Sequence, residues 1–253
     1  LKKGINQRIY SKSYRKYAGK YNLYFYGTVN CESGTVTVAT LEINFAKEEA
    51  VTMKIATSEG GEKLYYGDLQ ISEMSPNVFI VLNSDFGEQV SLTFYDEPMN
   101  CETFQCAVGA MLSISAGDLK RAPVLNRFII TGYDVDEAHM KFIKAHLKLN
   151  TKYIDISPEM LSTSVEGVFG KCEMADRITD RLKKAFYSKR YYAIEDSFIV
   201  NTLRKDENLS LRQVDELIAE LRNNSLSNIN FKINKSLDST VYRCTNPKNI
   251  SQE

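Results

Sequence analysis

The sequence predicts an α+β protein: an N-terminal antiparallel up-and-down β-barrel of about eight strands, then a helical, winged-helix-like C-terminal module. Three observations predict it. Short runs of alternating apolar and polar residues recur from Tyr17 to Thr131, and period-two alternation marks a strand with one buried face. Turn-forming residues separate these runs at regular spacing, as sandwiches and barrels require. At Asp134 the period lengthens to that of a helix.

The predicted strands are Tyr17–Tyr26, Thr35–Phe45, Ala50–Thr57, Lys63–Ser72, Asn77–Leu82, Gln89–Tyr95, Glu102–Ser115 and Pro123–Thr131. Between them stand Glu-Ser-Gly at 32–34, Ser-Glu-Gly-Gly at 58–61, Ser-Pro-Asn at 75–77, Asp-Phe-Gly at 85–87, Asp-Glu-Pro at 96–98 and Ala-Gly-Asp at 116–118. Glycine supplies positive φ, proline fixes φ, and Asn or Asp bonds its own backbone. Alternation sends Gly19, Tyr21, Leu23 and Phe25 inward, with Leu41, Ile43, Met53, Leu69, Ile71, Leu92, Phe94 and Val108. It sends Tyr24 and Tyr26 outward, where they are placed to dock the helical half. Val78-Phe-Ile-Val-Leu82 is apolar on both faces and the seventh run has a small outer face. Something must therefore cover part of the sheet's outside.

Beyond the barrel the helix signals follow in order. Asp134 with Glu137 resembles a capping box, and Ala138, Phe142, Ala145 and Leu149 recur at helical spacing. Ser157-Pro158-Glu159 has the chemistry of a helix start. Ser162–Gly170 reads as a loop between modules. Helices are predicted over Glu173–Tyr187, Ala193–Arg204 and Leu211–Arg222, the last opened by Ser210 with Gln213, and Asn228–Ile233 with Ser239–Cys244 reads as a hairpin. The predicted organisation is a basic arm at 1–16, the barrel at 17–133, connecting helices and a loop at 134–170, and a helical module with its terminal hairpin at 171–253.

The 32 basic and 32 acidic residues cancel, which removes any global charge argument for nucleic acid or lipid. Residues 1–20 nonetheless carry seven basic side chains and no acid. No apolar run approaches the roughly 20 residues of a membrane-spanning helix. Five cysteines lack paired metal-type spacing, which fits reduced thiols and a cytoplasmic location.

Eight strands with near-neighbour connections, begun by Gly19-Lys20-Tyr21 and ended by a strand bearing Arg127, resemble the lipocalin-like (calycin) barrels. In that family a Gly-x-Trp sits on the first strand, and a basic residue from near the last strand packs over the ring to close one end. Gly19 and Arg127 match those roles, with Tyr21 in place of Trp. The chain also bears a looser likeness to barrel sensor modules of bacterial regulatory and antiviral-defence proteins. The resemblance implies binding, because small closed barrels enclose a packed core or one small ligand. The ligand-binding candidates are Tyr21, Phe25, Tyr65 and Arg127.

No set of residues nominates a reaction. His139 and His146 are seven apart on one predicted helix, about 10 Å along its axis, too far to share a metal unaided. Cys106 reads as a small buried hydrophobe. Nucleophile-elbow, phosphate-loop and dinucleotide motifs are absent from the sequence, so neither a cofactor nor a metal is expected.

The order of three helices and a hairpin over Glu173–Cys244 is that of a winged helix. A DNA-binding version would send Leu211–Arg222 into the major groove, yet Asp215, Glu216 and Glu220 oppose phosphate there. The cationic stretch is earlier: Arg177, Arg181, Lys183, Lys184, Lys189 and Arg190 among Tyr187, Tyr191 and Tyr192, a mixture suited to nucleic-acid backbone or single strands.

Three functions follow as expectations. The first is a non-enzymatic sensor whose barrel holds a small molecule or peptide and relays occupancy to a helical module that binds a partner or a second copy. The second is a nucleic-acid-binding regulator using the basic arm and Arg177, Arg181, Lys184, Lys189 and Arg190. The third is a scaffold with a filled barrel.

Overall fold

Eight antiparallel strands pair each with its neighbour in sequence, and the last pairs with the first to close a barrel. The fold comes from a computed structural model that describes residues 12–27, 35–57, 60–72, 74–96, 103–114, 123–149, 153–188, 190–206, 209–226 and 236–246. The strands are β1 (Gly19–Tyr26), β2 (Val36–Ile43), β3 (Val51–Ala56), β4 (Glu62–Ile71), β5 (Asn77–Asn83), β6 (Gln89–Tyr95), β7 (Cys106–Ile114) and β8 (Pro123–Thr131). Closure is made where Leu23 of β1 meets Ile130 of β8.

The interior is a packed core. Leu23, Leu41, Met53, Ile80 and Phe128 are fully buried within it. A cavity wide enough for a ligand leaves accessible surface on the side chains that line it, and these have none. Tyr17, Tyr21, Phe94, Phe104 and Phe128 fill one region as a chain of tilted and edge-on ring contacts, with centroids 5.1 to 6.1 Å apart. A Cβ on Gly109 would lie 2.4 Å from both the Phe128 ring and the Thr93 carbonyl oxygen. Only glycine lets β6, β7 and that ring come so close.

The segment before β1 closes one end. A single helical turn, α1 (Lys12–Arg15), leads to Lys16, which pairs with Asp96 at 2.8 Å. The Tyr17 hydroxyl donates to the same carboxylate, and the amide of Phe104 donates to the Lys16 carbonyl at 2.9 Å. The Ile71 amide donates to the Tyr14 hydroxyl at 3.2 Å. Part of the predicted basic arm is therefore a plug, while residues 1–11 lie outside the described residues.

Two inward assignments are corrected. Val108 and Arg127 lie on the outside of the barrel, beneath the helices. Phe104 sits in the core although β7 begins only at Cys106, and from Cys106 onward it is Ala107 and Met111 that face inward. The chain at 103–105 lies outside the strand and is tied to the plug through the Phe104 amide, so the alternation changes phase there. On β8 the inward residues are Phe128 and Ile130, which turns Arg127 and Ile129 outward.

The C-terminal half covers that outer face. A 3-10 turn (Glu137–His139) leads into α2 (Met140–Leu147), and α7 (Ser236–Thr245) lies beside it. Ile143, Leu147 and Val241 of these helices bury Tyr24, Cys106, Val108 and Ile129 of the barrel wall. The Tyr26 hydroxyl donates to the Lys144 carbonyl at 2.9 Å, so both outward tyrosines of β1 serve the docking predicted for them. The predicted strand Ser239–Cys244 is instead part of α7. Val241 and Thr245, four apart, are both buried, and a tertiary contact at helical spacing overrides the local strand preference. Asn228–Ile233 lies outside the described residues.

A second core joins β9 (Tyr153–Ile156), α3 (Pro158–Phe169), α4 (Glu173–Leu182), β10 (Phe186–Ser188), β11 (Tyr191–Glu195), α5 (Asp196–Asp206) and α6 (Leu211–Asn223). Its strands form one antiparallel sheet in the order β10-β11-β9. Ser162–Phe169 is helical rather than a loop, because Leu161 and Val165 pack into this core. The aromatic stretch predicted to continue two helices forms β10 and β11 instead, as its β-favouring tyrosines allow. The helix expected to enter a groove, α6, has Val214, Leu217, Ile218 and Leu221 in this core and Asp215 bound to Arg243. It supports the module from within. Among the described residues no helix is long and apolar enough to cross a membrane.

Candidate functional site

Helix α3 starts on Ser157, whose Oγ accepts from the Met160 amide at 3.2 Å, with Pro158 in the first turn. It stops at Gly170, where φ is +75°, in the left-handed region that glycine enters without strain, and the Gly170 amide donates to the Glu166 carbonyl at 2.8 Å. Three residues, Gly170 to Cys172, then turn the chain into α4. Ala175, Ile178, Thr179 and Leu182 anchor α4 in the core. Its other side shows Asp176, Arg177 and Asp180 to solvent, with Arg181 half-buried.

The chain continues through exposed Lys183 and Lys184 into the β10–β11 hairpin, whose turn holds Arg190; Lys189 lies outside the described residues. Tyr187, half exposed, packs on Tyr192 across the hairpin with centroids 4.9 Å apart. Residues 171–190 hold seven basic and three acidic side chains, an excess of four positive charges. Two of the acids are engaged locally, Glu173 with Arg177 at 3.8 Å and Asp180 with Lys183 at 3.1 Å. Such exposed pairs are weak and open readily to a competing phosphate. The structure thus sets Arg177 and Arg181 on α4, Lys184 in the link that follows it and Arg190 in the turn of the hairpin.

The predicted ligand residues are dispersed. Tyr21 is buried in the aromatic cluster, its hydroxyl donating to the Tyr17 carbonyl at 2.9 Å. Phe25 and Tyr65 are also buried inside the barrel. The Tyr65 hydroxyl donates to Glu88 at 2.7 Å, and Lys63 reaches the same carboxylate at 3.4 Å. Arg127 does not join them. It is 2% exposed on the outer face of β8, and its Nη1 donates to the His146 carbonyl at 3.2 Å.

Around Arg127 lies a polar cluster that the sequence did not announce. His146 on α2 is buried, and its Nδ1 bonds the Phe142 carbonyl at 2.8 Å. Arg222 on α6 donates to Asp196 of α5 at 2.6 Å. Burial, with the positive charges of Arg222 and Arg127 nearby, pulls the His146 pKa down to about 4. Burial and Arg222 also pull Arg127 down to about 10, against the opposing pull of Asp196. His146 is therefore neutral at physiological pH, and the cluster fixes the helices to the barrel. The signal available for it was three polar residues, Arg127, His146 and Arg222, among apolar neighbours on three separate elements.

His139 bonds Asp136 at 2.5 Å at the surface, apart from His146. Among the described residues no group of three or more His, Cys, Asp or Glu is placed to hold a metal. A shallow cleft of about 200 Å³ lies beside β1, lined by Lys20, Asn22, Thr40, Tyr133 and Asp134. Asn22 bonds Asp134 across it at 2.8 Å. No protein family, curated protein or solved structure matches the chain.

Proposed function

We propose that the chain is a non-enzymatic nucleic-acid-binding regulator in which β9, α3, α4, β10 and β11 form a winged-helix module on a filled barrel. One observation carries the reading: two helices joined by a three-residue turn containing a positive-φ glycine lead directly into a two-stranded hairpin. A helix-turn-helix has this connection, and its second helix is the one that meets DNA. Here the second helix is α4, the hairpin is the wing, and the basic residues follow one another along both. Helix α6 takes the supporting place against α3. In this reading the winged helix is proposed earlier in the chain than the Glu173–Cys244 span expected for it.

The lipocalin likeness enters this reading as architecture. Strand order and a plugged end are common to both, while Lys16 over Asp96, not Arg127, supplies the cation at the closed end. The test is fluorescence anisotropy with a labelled DNA duplex across a salt series. Binding should weaken by roughly 0.9 log units per tenfold rise in salt for each phosphate contacted. No binding at about 0.05 M salt would sink the proposal.

A second reading keeps a ligand at the barrel, because Lys63 and Tyr65 converge on Glu88. A flat small molecule stacked there would raise the melting temperature of the protein, and Tyr65→Phe would abolish the rise. A metabolite pool that leaves the melting temperature unchanged removes this reading.

A further inference from the structure

We infer that the outer wall of β5, β6 and β7 is the contact between two copies of this chain. A quarter of the sequence is charged, yet the 23 residues of these three strands include no Asp, Glu, Lys or Arg. Each of the other five barrel strands carries at least one. Exposed strands are normally kept soluble by charge, so its absence marks a wall that another surface covers.

The apolar side chains on this wall are aligned. Register places Val81, Ser91, Leu112 and Leu125 in one row across β5 to β8, with Phe79, Thr93 and Ala110 in the next, a row that ends on β8 at Arg127, buried beneath the helices. Val81 is 43% exposed, Leu112 57% and Leu125 40%, so the described helices leave them open. Asp68 ends the first row on β4, while Asn83 and Gln89 form a polar pair at one margin. An apolar centre with a polar rim is the anatomy of a protein interface.

A second copy suits it for an electrostatic reason. In a twofold contact every residue near the axis meets its own equivalent, so a charge there would face a like charge. A charge-free wall meets itself without that cost, and two such sheets pack face to face about 10 Å apart. Three strands about 4.8 Å apart and three outward residues long give a footprint of roughly 300 Å² per copy. That is well below the ~800 Å² of a tight complex, so the contact is a weak and reversible one.

Sedimentation equilibrium of the full chain tests this. The mass should rise from 28.8 kDa toward twice that value between about 1 and 200 µM. Val81→Lys with Leu112→Lys should weaken association more than about a hundredfold while the circular dichroism stays unchanged. Raising salt from about 0.1 to about 1 M should leave the wild-type dimer intact, a readout that needs no variant. A wild-type protein that stays monomeric at the highest concentration overturns the inference. So does a dimer that salt dissolves, or a folded double variant that associates as well as the wild type.

Discussion

Arg127 of the last barrel strand donates to the main-chain carbonyl of His146, 3.2 Å away, and so ties the barrel wall to the helix that covers it. The donor is buried and its neighbour Arg222 is held by Asp196. Arg127→Ala should cost about 2–4 kcal/mol, since it removes packing and leaves a buried carbonyl without its donor. Arg127→Met, which keeps the volume, should cost less than half as much. Urea unfolding of both variants measures the difference, and equal losses would refute the packing contribution and leave the hydrogen bond to account for the whole effect.

The pH dependence follows from His146. Its folded pKa, about 4, lies below the ordinary value of 6.5. Below pH 6.5 the unfolded chain therefore takes up a proton that the folded chain refuses. Stability from this group is complete above about pH 6.5 and is lost as pH falls toward 4, by up to about 3 kcal/mol. His146→Asn, whose amide can still donate to Phe142, should flatten that part of the profile. A wild-type profile already flat between those values would contradict the assignment.

Gly109→Ala should destabilise the barrel by about 1–3 kcal/mol, because the new methyl group meets backbone as well as a ring. Trimming the ring with Phe128→Leu should recover only part of the loss, since the Thr93 carbonyl remains 2.4 Å from the added carbon. Full recovery in the double variant would show that the strands themselves have room.

On the proposed nucleic-acid surface, Lys184→Gln or Arg190→Gln should each lower the salt slope of binding by about one contact and weaken all sequences alike. Arg222→Gln disturbs the support helix instead. It should lower the melting temperature more than the slope. Anisotropy titrations at several salt concentrations separate the two behaviours.

Much of this architecture was legible in the sequence, for reasons visible in particular residues. Gly87 in its turn has φ of +77°, as the Asp-Phe-Gly signal requires. The alternation of Tyr21 to Tyr26 places each ring on its correct side. The run from Glu102 to Ser115 does not keep one phase, since Phe104 and Ala107, three apart, both face the core. The plug holds Phe104 by its main chain, and no local pattern reports a contact with Lys16. The same blindness affected Arg127, whose neighbours come from α2, α5 and α6. In the helical half the sequence marks the cationic stretch residue by residue but carries no signal for its hairpin. Tyr191 and Tyr192 fit helix periodicity as well as strand alternation, and pairing with β9 decides between them.

The barrel seam carries a consequence for how the molecule assembles. Leu23 finds Ile130 about a hundred residues further along the chain, a contact order that makes closure slow. Tyr24, Cys106 and Ile129, which receive α2 and α7, lie on three strands brought together only by that closure. The helices therefore acquire their docking surface last. When the full chain refolds, the second core can collapse early around its local contacts, but it has nowhere to sit until the final strand has been zipped into place. The docked state of the helical half is thereby a record that the barrel has finished folding.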